Sequence, residues 1–205
     1  MPEIFRPSGN RPLRYCVIDG ERIRAELQEV TAAFGSVNAF VKSAVSTQID
    51  CVKDIRVACN INITSGGGSY RWHYDRNRIT AILYLNAVDG GATECYPRYR
   101  LWLGRRLQHW RLQQVLDRLL QLSWIRKTLG RQVLVQPAAG RLLLMRADRC
   151  LHSVRPVCGE TERINIVMSF DIMGCESPTA PALNGYLYEQ GIKLSGDPNY
   201  ARNVF

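Results

Sequence analysis

Hydrophobic and polar positions change their period along this chain, and the change divides it. Residues 14–18 (RYCVI) predict a short strand. Asp19 follows as a helix N-cap. Ile23, Leu27, Val30 and Phe34 then recur at helical spacing up to Gly35, which is expected to stop that helix. A second, weaker helix is expected over 37–45. From Cys51 the period falls towards two: VKDIRVACNINIT alternates and is rich in β-branched residues, as strands are. Further strands are expected at 69–75, 79–86, 92–96, 132–136, 141–146, 151–157 and 163–172. Asp89-Gly90-Gly91, 137–140 and 158–160 supply the turns. Gly66-Gly67-Gly68 reads as a plain turn rather than a lid. Many short strands behind one or two helices predict a mainly β fold with flanking helices, a β-sandwich or jelly roll. Nothing repeats internally and no linker divides the chain. Residues 1–205 are therefore expected to form one domain, with a core at about 51–172 and N-terminal helical support at 14–50.

One segment interrupts the strands. Leu112, Val115, Leu116, Leu119, Leu120 and Leu122 fall on one helical face, and Arg111, Gln113, Gln114, Asp117, Arg118 and Gln121 on the other. Roughly 105–122 is thus an expected amphipathic helix, with Trp102, Trp110 and Trp124 nearby. Composition sharpens this picture. Residues 98–131 hold nine basic side chains against one acid, Asp117, and so carry a net +8 of the chain's +9. The basicity belongs to this insertion and not to the rest of the fold. The expected use is a solvated face whose leucines cover the barrel. The alternatives are a lid over an anionic substrate or carrier, a membrane surface, and nucleic acid.

The totals exclude several classes. With 205 residues and 46% hydrophobic content, the chain can build a sizeable core. No apolar run approaches the ~20 residues of a membrane helix. MPEIFRPSGNRPLRYC has no apolar signal core, so a cytoplasmic protein is expected. Seven cysteines form no CxxC pair, which argues for reduced, mostly buried thiols and against a zinc or iron–sulfur site.

The chemistry starts at Trp72-His73-Tyr74-Asp75. In a strand, residues i and i+2 share a face, so His73 and Asp75 project together as an imidazole beside a carboxylate. The chain has three histidines; His109 lies in the basic insertion, and His152 lies in another expected strand. His73, Asp75 and His152 would form a two-histidine, one-carboxylate face that leaves three positions open on an octahedral iron. A turn at 158–160 would fold RINIVMSF back on CLHSVRPV, placing 152 opposite 164 and Arg163 near the metal. An arginine there can hold a carboxylate bidentately, and so is assigned to an anionic co-substrate.

HYD at 73–75, TAILYLN at 80–86, GGATECYP at 90–97, GRLLLM at 140–145 and HSVRPVCGETERINI at 152–166 come in one order. That ordered set resembles the iron(II)/2-oxoglutarate-dependent dioxygenases, most of all the prolyl 4-hydroxylase type, over about 51–172. The resemblance implies a double-stranded β-helix, a cupin-like jelly roll, carrying the inserted basic amphipathic helix. It implies that His73, Asp75 and His152 bind Fe(II), that 2-oxoglutarate is the co-substrate, and that O2 takes the remaining site. Arg163 and Tyr84 would hold the far carboxylate of 2-oxoglutarate, and ascorbate is a candidate reductant. Hydroxylation of an unactivated C–H bond is expected, with release of succinate and carbon dioxide. The substrate would be a small molecule, such as an amino acid or natural-product intermediate, or a peptidyl side chain. Asp75 occupies the place where related halogenases have a small residue. Trp72, Tyr74, Asn60 and Asn62 are candidates for the substrate wall. The competing readings are a non-catalytic jelly roll that docks an anionic partner or membrane through the basic helix, and desaturation or cyclisation at the same site.

Overall fold

The computed structural model describes residues 4–8, 11–45, 48–75, 77–97, 99, 115, 119–120 and 122–173. Their elements run β1 (Ile4–Ser8), β2 (Arg11–Ile18), α1 (Gly20–Glu26), α2 (Gln28–Ala44), β3 (Ile49–Cys51), α3 (Ile55–Ala58), β4 (Cys59–Thr64), β5 (Tyr70–His73), β6 (Ile79–Tyr84), β7 (Thr93–Tyr96), α4 (Ser123–Leu129), β8 (Val133–Val135), β9 (Leu142–Met145), β10 (Leu151–Val154) and β11 (Arg163–Ile172). All pairings between these strands are antiparallel. One sheet has the order β1-β2-β4-β11-β6-β9, with β3 also on β11; the other has the order β5-β10-β7-β8. From β4 to β7 successive strands alternate between the sheets, and β9, β10 and β11 do so again. That alternation is the jelly-roll pattern the strand spacing predicts.

The large sheet is covered on both faces, and its two faces differ in chemistry. Along β11, Ile164, Ile166, Met168 and Phe170 join Ile61, Ile63, Ala81 and Leu83 in a cluster against α1 and α2. Ile23, Leu27, Val30, Phe34, Val37 and Val41 supply the helical side, so the 3.6-residue stripe does meet the sheet. The alternate residues of β11, Arg163, Asn165, Val167 and Ser169, take the other face. In register they share it with Thr64, Asn62 and Asn60 of β4 and with Tyr84, Ile82 and Thr80 of β6. Ile82, Tyr84 and Met145 meet Cys95, Ala147 and Cys150 there in a second buried cluster, with Val135 and Leu143 against it. A strand whose polar alternate face is buried, with Arg163 and Asn165 at 2% and 1% exposure, points its polar groups into the space between the sheets.

Three expectations are corrected. Gly35 does not stop the first helix: the break lies at Leu27 (φ −126°, ψ 76°), and α2 runs through Gly35 to Ala44. A mid-helix glycine costs about 1 kcal/mol, less than the packing of the apolar stripe returns. Residues 55–58 are not strand. Asp54 accepts a hydrogen bond from the Arg56 amide at 3.1 Å and starts one helical turn, a local cap that overrides the β-branched composition. β10 and β11 do not form a hairpin, because they lie in different sheets. Val157 is held elsewhere, accepting from the Gly67 amide at 2.8 Å and donating to the Gly68 carbonyl at 3.0 Å, so the chain leaves the small sheet before it can turn back. The same bonds fix the glycine run as a packed turn; a Cβ on Gly66 would lie 2.2 Å from the Gly159 carbonyl oxygen.

Most of the expected helix over 105–122 lies outside the described residues. Of what is described, Leu120 covers the outer face of the small sheet, packing with Tyr96 and Leu151 against Trp72, Tyr74 and Tyr99, while Val115, Leu119 and Leu122 are exposed. No helix among the described residues is long and apolar enough to cross a membrane. The described cysteines, Cys16, Cys51, Cys59, Cys95, Cys150 and Cys158, are all free thiols.

Candidate active site

His73 ends β5 and stands directly opposite His152 of β10 in the ladder, with the ring centroids 4.2 Å apart. Each ring is locked by its own backbone. His73 Nδ1 donates to the Arg71 carbonyl at 2.7 Å, and His152 Nδ1 donates to the Cys150 carbonyl at 2.9 Å. In the neutral rings Nε2 is thereby the nitrogen left to act as ligand atom. Asp75 is keyed in by its amide, which donates to the Ala147 carbonyl at 3.1 Å. Its Oδ1 lies 3.5 Å from His73 Nε2 and 3.4 Å from His152 Nε2. The three ligand atoms lie within 4.8 Å of one another, spacing that suits one metal ion. Burial alone would push the Asp75 carboxyl up, but the two imidazoles outweigh it and hold it below the usual carboxylate range. Burial alone would lower His152; the facing Asp75 charge wins and raises it.

Arg163 marks the other end of the inter-sheet space. Its Nη1 donates to Asn165 Oδ1 and its Nη2 to Thr93 Oγ1 at 3.2 Å. Its guanidinium carbon lies 5.1 Å from the centre of the Tyr84 ring, and the Tyr84 hydroxyl is hydrogen-bonded to Thr93 at 2.6 Å. All these neighbours are neutral. The local acids do not neutralise it: Glu162 accepts from Ser65, and no described carboxylate pairs with Arg163. Arg163 Nε and the neighbouring Thr64 Oγ1 are buried without a hydrogen-bond partner among the described residues. A buried cation flanked by unsatisfied donors is costly unless an anion completes it. Gly91 leaves the room: it sits at φ +59°, and a Cβ there would fall 3.0 Å from Arg163 Cδ. The donor set therefore fits a carboxylate.

A family model described as the 2OG-Fe(II) oxygenase superfamily matches residues 59–170. The chain belongs to that superfamily. Its members use Fe(II), 2-oxoglutarate and O2, and the His-Asp-His cluster here is the kind of site that holds such iron. Among solved structures, this oxygenase is similar in fold to the non-heme alpha-ketoglutarate-dependent epimerase from nogalamycin biosynthesis (TM-score 0.60, 14% identity, 96% of this chain and 80% of that one). It is similar also to a prolyl 4-hydroxylase from Phytophthora capsici (0.50, 17%, 82% of this chain). The oxygenase spans only 50% of the length of that protein. A third likeness is the Trichoplax adhaerens prolyl hydroxylase in complex with a hypoxia-inducible-factor oxygen degradation domain peptide (0.50, 18%, 80% of this chain and 66% of that one). A search of curated proteins finds no match.

The oxygenase brings together His73, Asp75 and His152 at one end, and Arg163 and Tyr84 at the other. Asn60 and Asn62 lie on the same inward face, Asn62 Nδ2 donating to Asn60 Oδ1 at 3.1 Å. Trp72 and Tyr74 do not line this space, which corrects their assignment to the substrate wall. They alternate with His73 and so face outward, where Trp72 lies between the Tyr96 ring (5.5 Å) and the Arg126 guanidinium (4.3 Å). Sequence reasoning missed Thr64, Thr80, Thr93 and Asn165. The signal for them was polar residues alternating inside otherwise apolar strands.

Proposed function

We propose that this oxygenase is a hydroxylase in which His73, Asp75 and His152 hold Fe(II), and Arg163 receives the far carboxylate of 2-oxoglutarate. The observation that carries the proposal is the pairing of a His-Asp-His cluster with a buried guanidinium, without a carboxylate partner among the described residues, on the facing walls of one inter-sheet space. Strand β6 serves both ends. Thr80 bonds to Asp75, and Tyr84 lies under Arg163, four residues and so about 13 Å further along the strand. An arginine side chain and a five-carbon dicarboxylate share such a length. Iron with 2-oxoglutarate and O2 supplies the C–H oxidation, converting the co-substrate to succinate and carbon dioxide.

The chain's own residues bind, orient and exclude. Arg163 Nε and Thr64 Oγ1, without partners among the described residues, would donate to the distal carboxylate, while Thr93 and Asn165 hold the guanidinium beside Tyr84. The backbone carbonyls of Arg71 and Cys150 keep both imidazoles in the tautomer that ligates. Asn60 and Asn62 offer polar groups to whatever fills the rest of the space. Asp75 supports hydroxylation over halogen transfer, since the carboxylate occupies a position that a halide would need. A non-catalytic binding module gives no account of a buried guanidinium whose partners among the described residues are all neutral.

The test is succinate release under 18O2 with a panel of free amino acids and proline-containing peptides. A product heavier by one labelled oxygen is expected. A product lighter by two hydrogens would replace hydroxylation by desaturation or cyclisation, and an isomeric product would point to epimerisation. No succinate with any panel member or in uncoupled turnover would count against the enzyme reading.

A further inference from the structure

Asp75 has two oxygens, and the structure treats them differently. Oδ1 faces both imidazole Nε2 atoms, at 3.5 and 3.4 Å. Oδ2 accepts the Thr80 hydroxyl proton at 2.6 Å. Thr80 is 1% exposed, so water does not compete for that bond. The direction of the bond is set one residue further out. Asn77 Nδ2 donates to Thr80 Oγ1 at 2.8 Å and to the Ile79 carbonyl at 2.6 Å. With a lone pair of the hydroxyl taken by the amide, its proton is left to point at Asp75. The relay Asn77–Thr80–Asp75 is local to the β6 entrance and uses none of the groups at the Arg163 end.

We infer that Thr80 is a positioning residue that keeps Asp75 a one-oxygen ligand and so keeps one coordination position open for dioxygen. This rests on the iron and 2-oxoglutarate reading above. On an octahedral Fe(II) two imidazoles and one carboxylate oxygen would take three of six positions and a chelating 2-oxo acid two more, which would leave one. A carboxylate that gave both oxygens would fill it. A short charge-assisted bond from a buried hydroxyl holds the second oxygen away, and partners of this outer kind commonly set the behaviour of a metal ligand.

Nitric oxide, a diatomic stand-in for O2, tests this without any substrate. Wild type, Thr80→Ser, Thr80→Val and Asn77→Ala are loaded anaerobically with Fe(II) and 2-oxoglutarate. The chelate absorption band is recorded first, and nitric oxide is then titrated by electron paramagnetic resonance. Thr80→Ser should bind nitric oxide within about two-fold of wild type, because the hydroxyl is restored. Thr80→Val should keep the band but lose nitric oxide affinity about ten-fold, the scale of one hydrogen bond to a charged group. Asn77→Ala sits half-buried outside the strand and tests the relay even where valine at position 80 unsettles the fold. It should lose affinity in the same direction by about two- to three-fold, since it frees the hydroxyl to turn without removing it. Equal nitric oxide affinity in wild type, Thr80→Val and Asn77→Ala overturns the inference. A missing band in wild type sinks the underlying iron and 2-oxoglutarate reading instead, and so separates the two failures.

Discussion

Arg163 is an unusual side chain to bury: fully charged, at 2% exposure, with only neutral partners among the described residues. On the proposed reading its cost falls on the ligand-free protein and is recovered when 2-oxoglutarate binds. That sign yields a prediction that an ordinary structural arginine would fail. Arg163→Met, close in volume, should leave unfolding stability of the ligand-free protein within about 1 kcal/mol of wild type or raise it, while weakening 2-oxoglutarate binding about a hundred-fold or more. Thermal unfolding and ligand titration read the two effects separately. A drop of ~3–5 kcal/mol, the cost of breaking a buried pair, would mark Arg163 as structural. The proposed metal ligands make a pH prediction. In the metal-free protein Asp75 raises the pKa of His152, so His152 holds its proton to higher pH than a free imidazole does. Ligation requires that proton to leave. Metal affinity should therefore rise with pH up to the raised pKa and level off above it, by up to about ten-fold per pH unit for one proton. Cobalt(II) titrations from about pH 6 to pH 8 check this, and a flat profile would contradict it.

Strands and helices show where sequence reading succeeds and where it stops. β11 was legible to its last residue, because ten alternating positions between turn residues admit little else. The face of β11 that lines the site was less legible, since alternation alone does not say which face is buried. Burial of the polar side is what places Arg163, Asn165 and, across the ladder, Asn60 and Asn62 between the sheets. The 152–164 hairpin failed because a glycine turn after Pro156 reads alike whether the chain folds back or crosses to the other sheet. The deciding bonds, from Val157 to Gly67 and Gly68, are long-range. Asp19 was legible as a cap, and its carboxylate accepts from the Arg22 amide at 2.9 Å; Asp19→Ala should cost about 1 kcal/mol of stability. Trp72 belongs to the cover of the small sheet. Trp72→Ala should cost roughly 2–4 kcal/mol and leave 2-oxoglutarate affinity of the folded protein unchanged. An altered affinity at full stability would return Trp72 to the site.

Across the whole molecule, charge and chemistry lie in different places. The basic segment carries nearly all of the net charge, yet Arg126 within it is buried, donating to the Leu120 carbonyl and stacking over Trp72. At least one of its cations therefore fastens this segment to the small sheet; of the described apolar-face residues Leu120 is buried, while Val115, Leu119 and Leu122 are exposed. The proposed site needs only one inter-sheet space, with metal ligands on β5 (His73), just after it (Asp75) and on β10 (His152), and the anion receiver on β11. The most direct test of that account is optical and anaerobic: purified protein, Fe(II), then 2-oxoglutarate, followed through the weak visible charge-transfer band of the chelate. The account predicts a band in wild type, its loss in His73→Ala, and its weakening in Arg163→Met through poorer co-substrate binding. A folded wild type that gives no band, or a band untouched by His73→Ala, would contradict it.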